Sequence, residues 1–356
     1  MEVLLIKKSC RSGERIFNPG EVYLCGPETK KKFQALNGSA QFLILENELP
    51  RFIQGKGFKE LLLVRGGGIG DLMALSSIIT YLAKKNIRTW FWTQRKYFNV
   101  FDWFNVSVKL TAADQPLFTD FNMNYRLSLK KRLGMMQGER MIEHGSGRNW
   151  YEIFFESIGA KADESWYRPQ LKSNRVYDLP VNVSNEGVLI CHRATAIMRS
   201  ARFEDIHKAL REATGKPLYV HKLNLTRIDQ EYIDQAKDPG LFIIPPGSMQ
   251  QFLCDIYDAG QVVSVDSAAV HLREGINKKA IGLYTSFTTQ ARTKYYQFVR
   301  AFDLKSQCPD QPCFLYQKFM DHVCEYGEGS LNAPCLDGTK NQKLQSQLIQ
   351  IFSEHL

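Results

Sequence analysis

Apolar residues along this chain fall into two copies of one pattern. In the first, Glu60-Leu61-Leu62-Leu63-Val64 meets a glycine cluster, Gly66, Gly67, Gly68 and Gly70, and then Asp71; beyond it Leu72, Leu75, Ile78, Ile79 and Leu82 recur at helical spacing. The segment reads as strand, tight turn, helix. In the second copy, Gln261-Val262-Val263-Ser264-Val265 runs into Asp266, Ser267, Ala268 and Ala269, with His271 on the helix that follows and Lys279–Tyr284 as the next strand. Two such units with small-residue turns predict two α/β lobes that face each other across a cleft at the carboxyl ends of their sheets.

The remaining pattern fills in both lobes. "RTWFWTQ" and "VSVKLTA" read as strands and "NWYEIFFESIGA" at 149–160 as a helix, whereas Asn122 to Arg148 breaks the periodicity. That stretch holds Arg126, Lys130, Lys131, Arg132, Arg140, His144 and Arg148, and reads as a basic loop. A strand opening near Gly187 ends at Cys191 and leads through His192, Arg193, Arg199 and Arg202 into the helix "FEDIHKALREAT". "KPLYVHKLN" is a strand, and "GLFIIPPGSMQQFLCDIYDAG" is strand, turn and a helix capped by Ser248. Polar, turn-rich "SNRVYDLPVNVSNEG" at 173–187 is a linker with the composition of a hinge. Leu344, Leu348, Ile351, Phe352 and Leu356 mark an amphipathic C-terminal helix. Residues 1–46 read as a small β-rich unit with a short helix and a Pro-Gly turn between two strands in "RSGERIFNPGEVYLCG". The predicted units are thus 1–46, a first lobe at 47–180, a second at 187–300, and a cysteine-containing tail with a helix at 301–356.

A glycine turn before a helix sets backbone N–H groups where a ligand approaches without Cβ atoms in the way. Gly66, Gly68 and Gly70 are spaced G-x-G-x-G rather than G-x-G-x-x-G, and no Gly-Lys-Ser/Thr follows, so neither the dinucleotide fingerprint nor a P-loop is present. Asp71 is either an acid that favours the helix dipole or a general base at the cleft. Ser267 with the N–H groups of Ala268 and Ala269 forms a second helix start suited to an anion. Arg193, Arg199 and Arg202 precede another helix, where cations oppose the dipole unless an anion arrives.

The pair "VRGGGIGDLMALSSIITYL" and "VVSVDSAAVHLREGINKKAIGLYTSF" resembles glycosyltransferase family 9, the heptosyltransferase-like enzymes of the GT-B fold, over about residues 59–300. The resemblance implies an α/β fold of two facing Rossmann-like lobes, with the C-terminal helix returning to pack on the first. It also implies inverting, metal-independent transfer of a heptose-like or hexose sugar from a nucleotide-diphosphate donor to a hydroxyl of a glycan or glycolipid. Asp71 would be the base, with Gly68, Ile69 and Gly70 on the acceptor side. Arg193, Arg199, Arg202, Asp266, Ser267, Ala268 and Ala269 would hold the donor, and His271 would support that site. The nucleotide-sugar is a co-substrate; no cofactor is implied. The chain departs from the family's Thr-Lys-x-Trp pattern at the arginine loop, and carries His221, Lys222 and Asn224 where the family has acidic or glycine-rich residues, so the nucleotide is not carried over.

Composition sets outer limits. A chain of 356 residues, 44% hydrophobic, suffices for two domain cores. It has no run of 18 apolar residues, and "MEVLLIKKSC" turns charged before a signal-peptide core can form, so a cytoplasmic protein without a transmembrane segment is expected. The net charge of +9 favours phosphate-bearing partners without choosing among nucleotide-sugars, anionic glycolipids and nucleic acid. Cys308, Cys313, Cys324 and Cys335 lack the tight C-x2-C knuckle, which leaves zinc, a disulfide and unligated thiols open. The N-terminal unit resembles a short module of phage proteins. Two other functions fit: a phage DNA-modifying glycosyltransferase acting on a hydroxymethylated base, and a non-catalytic binding protein that keeps the GT-B shell.

Overall fold

The computed structural model describes residues 2–6, 10–12, 15–17, 22–25, 40–43, 60–64, 68–112, 133–137, 148–158, 160, 162–306, 308, 309, 311–313 and 332–356. The N-terminal unit contains β1 (Glu2–Ile6), β2 (Cys10–Ser12), β3 (Arg15–Phe17), β4 (Val22–Cys25) and β5 (Ala40–Leu43). β1 pairs antiparallel with β4 and β5, and β2 with β3. The strands flanking the Pro-Gly dipeptide, β3 and β4, therefore belong to different sheets. Only Gly13 and Glu14 separate β2 from β3 in the sequence, a hairpin-length connection that competes successfully with the longer one. The short helix expected after β4 falls outside the described residues.

The first lobe is built from β6 (Glu60–Val64), α1 (Ile69–Lys84), β7 (Arg88–Thr93), β8 (Lys109–Ala112), β9 (Leu133–Gln137) and α2 (Trp150–Ser157). Its parallel sheet has the order β8-β7-β6-β9. Leu72, Leu75, Ile78, Ile79 and Leu82 of α1 are all buried, as their spacing predicts. β9 corrects one expectation: Leu133-Gly134-Met135-Met136-Gln137, inside the stretch read as a basic loop, pairs with β6. Its short apolar run is masked in the sequence by the cations on either side. The rest of that stretch lies outside the described residues except Arg148, whose Nη2 is 2.5 Å from Glu156 Oε2.

The second lobe alternates strand and helix: β10 (Val188–Cys191), α3 (Phe203–Ala213), β11 (Leu218–His221), α4 (Arg227–Ala236), β12 (Leu241–Ile244), α5 (Met249–Asp258), β13 (Gln261–Val265), α6 (Ala268–Gly275), β14 (Ala280–Tyr284), α7 (Thr289–Arg292) and β15 (Val299–Asp303). All strands are parallel in the order β12-β11-β10-β13-β14-β15, the doubly wound arrangement whose ligands bind where the order reverses. Ser248 caps α5 as expected, accepting from Gln251 N–H at 3.1 Å.

The terminal helix α8 (Leu344–His355) corrects a second expectation. Its buried stripe of Leu344, Leu348, Ile351 and Phe352 shares a core with Phe203, Ile206 and Leu210 of α3, so the helix covers the second lobe instead of returning to the first. The other core crosses between the lobes: Leu72 and Leu75 of α1 and Phe154 of α2 join Leu253 of α5, Val270 and Leu272 of α6, and Tyr284 of β14. The linker at 173–187 is tied to α5, with Arg175 Nη2 2.8 Å from Asp258 Oδ2 and Asn182 Nδ2 3.1 Å from Asp255 Oδ1. A shared apolar core and a pinned linker hold the lobes in contact.

Candidate functional site at the lobe junction

A cavity of about 340 Å³ opens where the carboxyl ends of both sheets converge. Gly68, Ile69, Gly70 and Asp71 enter after β6, Cys191 ends β10 with Arg193, Ala194, Thr195 and Arg199 following it, Asn224 comes after β11, Asp266, Ser267, Ala268 and His271 after β13, and Arg292 after β14. The turns expected from sequence after β6, β10 and β13 thus share one cavity at the carboxyl ends of their strands.

On the first-lobe side, Gly68 caps α1 with φ 81° and ψ 105°, a left-handed conformation that favours glycine. A Cβ there would also overlap Asp71 Oδ2, so the glycine lets the carboxylate fold back across the turn. Gly70 serves a different purpose. A Cβ on it would stand 2.7 Å from His271 Cδ2 and 3.3 Å from Ala268 Cα, so the bare backbone lets the first turns of α1 and α6 touch.

On the second-lobe side, Ser267 caps α6 and its Oγ accepts from Ala269 N–H at 3.3 Å. Ser264 Oγ donates to Val265 O at 2.7 Å, so in the 2.8 Å contact between the two hydroxyls the donor is Ser267. The Ser267 hydroxyl is thereby engaged within the protein. Ala268, the first residue of the helix, has no intrahelical acceptor for its N–H and lines the cavity. Asp266 is buried and takes Arg199 Nη1 at 3.3 Å from its Oδ2. Arg193 reaches the cavity while its Nη1 donates to Asn332 Oδ1 at 2.9 Å, and burial pulls its pKa down.

Arg202 and Ala269, expected at the donor site, do not line the cavity. Arg202 stands at the N-cap of α3, where Glu204 and, at 3.7 Å, Asp337 Oδ1 answer its charge; its N–H donates to Leu336 O at 3.0 Å. It fastens the tail to the second lobe. His271 does line the cavity, with Nδ1 2.7 Å from Tyr296 Oη and its ring against Trp150. Burial lowers its pKa to about 4, aided by Arg292 and Arg199 and opposed by Asp266 and Asp71, so the imidazole is neutral near pH 7.

Sequence reading missed Tyr97, Phe252 and, above all, Arg292. Arg292 is 5% exposed and lies 4.4 Å from the Trp150 ring and 3.7 Å from that of Phe287. A second cavity of about 230 Å³ adjoins the first, sharing Ile69, Asn224 and Phe252 and extending along His221, Leu223, Pro245 and Met249. Among the described residues no cluster of three or more His, Cys, Asp or Glu is placed to hold a metal. Of the tail cysteines, Cys313 packs against Ala196 and Met198, and Cys324 lies outside the described residues.

No protein-family model matches the sequence, and no curated protein matches it either. Among solved structures, the dodecameric iron-containing glycosyltransferase TibC of enterotoxigenic E. coli is similar with a TM-score of 0.52 at 10% identity, covering 98% of this chain and 91% of that one. The fold is GT-B. A TibC complex with ADP-D-β-D-heptose gives a TM-score of 0.52 at 9% identity, covering 99% of this chain and 91% of that one. The E. coli heptosyltransferase WaaC with ADP has a TM-score of 0.46 at 14% identity, covering 68% of this chain and 93% of its own. At these identities the likeness to TibC speaks for the fold alone, and what the cavity does is argued from its residues.

Proposed function

We propose that the protein is an inverting glycosyltransferase that moves a sugar from a nucleotide-diphosphate donor to a hydroxyl of an anionic glycan or glycolipid in the cytoplasm. The observation that supports this reading is that Asp71 of the first lobe lines one cavity with Arg199, Arg193 and Ala268, the first residue of α6, of the second. The acceptor hydroxyl attacks the anomeric carbon while Asp71 takes its proton, and the bond from that carbon to the phosphate oxygen breaks with its electrons going to the leaving diphosphate. Protein cations and a helix N-terminus meet the charge that develops there. Asp266 orients Arg199 and can accept from a sugar hydroxyl; neutral His271 packs behind the turn. The adjoining pocket, more apolar and lined by Phe252 and Leu223, suits the nucleobase. The basic balance of +9 fits an anionic acceptor as well as the donor.

Calorimetric titration with ADP-, GDP-, UDP- and TDP-sugars tests the reading. One nucleotide class should bind and stabilise the folded protein by about 2.7 kcal/mol at a ligand concentration a hundred times Kd. Failure of every nucleotide-diphosphate sugar to bind contradicts it.

A further inference from the structure

The second lobe buries two arginines near its α6 helix, and they are treated in opposite ways. Arg273 is 1% exposed and every donor nitrogen is answered: Nε donates to Lys279 O at 2.9 Å, Nη1 to Ala259 O at 2.7 Å and Ile256 O at 3.1 Å, and Nη2 to Lys279 O at 2.6 Å and Gly260 O at 3.1 Å. Such an arginine ties loops together. Arg292 is buried to a similar degree, yet its Nε and Nη1 have no hydrogen-bond partner among the described residues. A buried guanidinium with unanswered N–H groups is costly, and packing alone gives no reason to retain it.

Its surroundings supply the reason. Arg292 lines the cavity beside Arg199, Ala268 and Asp71. Its guanidinium is held against Phe287 at 3.7 Å and Trp150 at 4.4 Å, so the side chain is fixed before any ligand arrives. Nε–H and the Nη1 hydrogens lie on different edges of the guanidinium, which suits oxygens spread over two phosphorus centres better than one compact carboxylate. Trp150 belongs to α2 of the first lobe, Arg292 to the second. Neighbouring contacts lock the same seam: Asn149 Nδ2 donates to Gln290 O at 3.1 Å, and Lys294 Nζ lies 3.0 Å from Glu152 Oε1.

We propose that Arg292 is a diphosphate-binding residue, presented to the donor by Trp150 across the junction between the lobes. This rests on the donor-site reading above and adds to it the residue that holds the phosphates. It also makes donor affinity depend on a first-lobe ring, Trp150, which is absent from the cavity's lining.

Titration of the wild-type protein, Arg292→Gln, Arg292→Lys and Trp150→Leu with ADP, GDP, UDP and TDP and with the four matching nucleosides tests this. The wild type should bind one diphosphate more tightly than its nucleoside. Arg292→Gln should lose about tenfold or more in affinity for that diphosphate, the scale of one hydrogen bond to a charged group, with nucleoside affinity unchanged. Arg292→Lys, which keeps the charge without the planar donor array, should fall between, and Trp150→Leu should lose diphosphate affinity selectively. Unchanged diphosphate affinity in both Arg292 variants, or equal losses for diphosphate and nucleoside, overturns the proposal while leaving the donor site standing. A wild type that binds none of the diphosphates removes the donor-site reading itself, and this inference with it.

Discussion

At the residue scale, arginines that look alike in the sequence separate by what their guanidinium groups meet. Arg199 lies in the cavity against Asp266, whereas Arg202 is engaged by Glu204 and Asp337 outside it. Arg199→Ala should therefore weaken donor binding by about 1.5–3 kcal/mol, and Arg202→Ala should leave donor affinity alone while lowering the unfolding temperature. Calorimetry on the two variants checks this; equal losses of affinity would contradict the assignment. Asp71, Asp266, Ser267 and the glycines were legible because each sits at a strand-to-helix turn that the hydrophobic pattern locates. Arg292 was not. A lone arginine in "TSFTTQARTKYY" reads as surface, and it is buried only because Phe287 and a tryptophan from a distant segment close over it.

At the scale of elements, the strand-turn-helix units of both lobes followed from periodicity, but their packing partners did not. A stripe such as Leu344, Leu348, Ile351 and Phe352 announces a buried helix face without saying which face it covers, and α8 chose α3. β9 was hidden because its apolar run is short and flanked by cations, and a run of that length carries little periodic signal. The approach of α1 to α6 rests on Gly70. Gly70→Ala should cost about 1–3 kcal/mol, because the new methyl group meets His271 and the Ala268 backbone and the helices must part. Its unfolding free energy in urea is the check; a change below the error of the measurement would mean that the contact yields without strain.

Across the whole molecule, burial lowers the pKa of four histidines, His192, His207, His221 and His271, and so links stability to pH. Burial holds both His221 and His271 at a pKa of about 4. The unfolded chain, with histidine near its ordinary value of about 6.5, binds more protons between these limits, so stability is fully present above that value and is lost as pH falls toward 4. Each of these two contributes on the order of 3 kcal/mol over that window. The unfolding free energy should fall between pH 6.5 and 4, and His221→Gln should flatten the slope; a profile of equal slope in variant and wild type would contradict the account.

One junction cavity holds Asp71 of the first lobe together with Arg193, Arg199 and Arg292 of the second, and the proposed transfer needs the first as base and the others on the diphosphate. Its most direct measurement is nucleoside-diphosphate release from the donor in the presence of acceptor, comparing the wild type with Asp71→Asn, alongside donor affinity by calorimetry. Removal of a positioned base predicts a rate lower by about 10²–10⁴-fold with donor affinity nearly intact. Release at the wild-type rate from Asp71→Asn would contradict the claim.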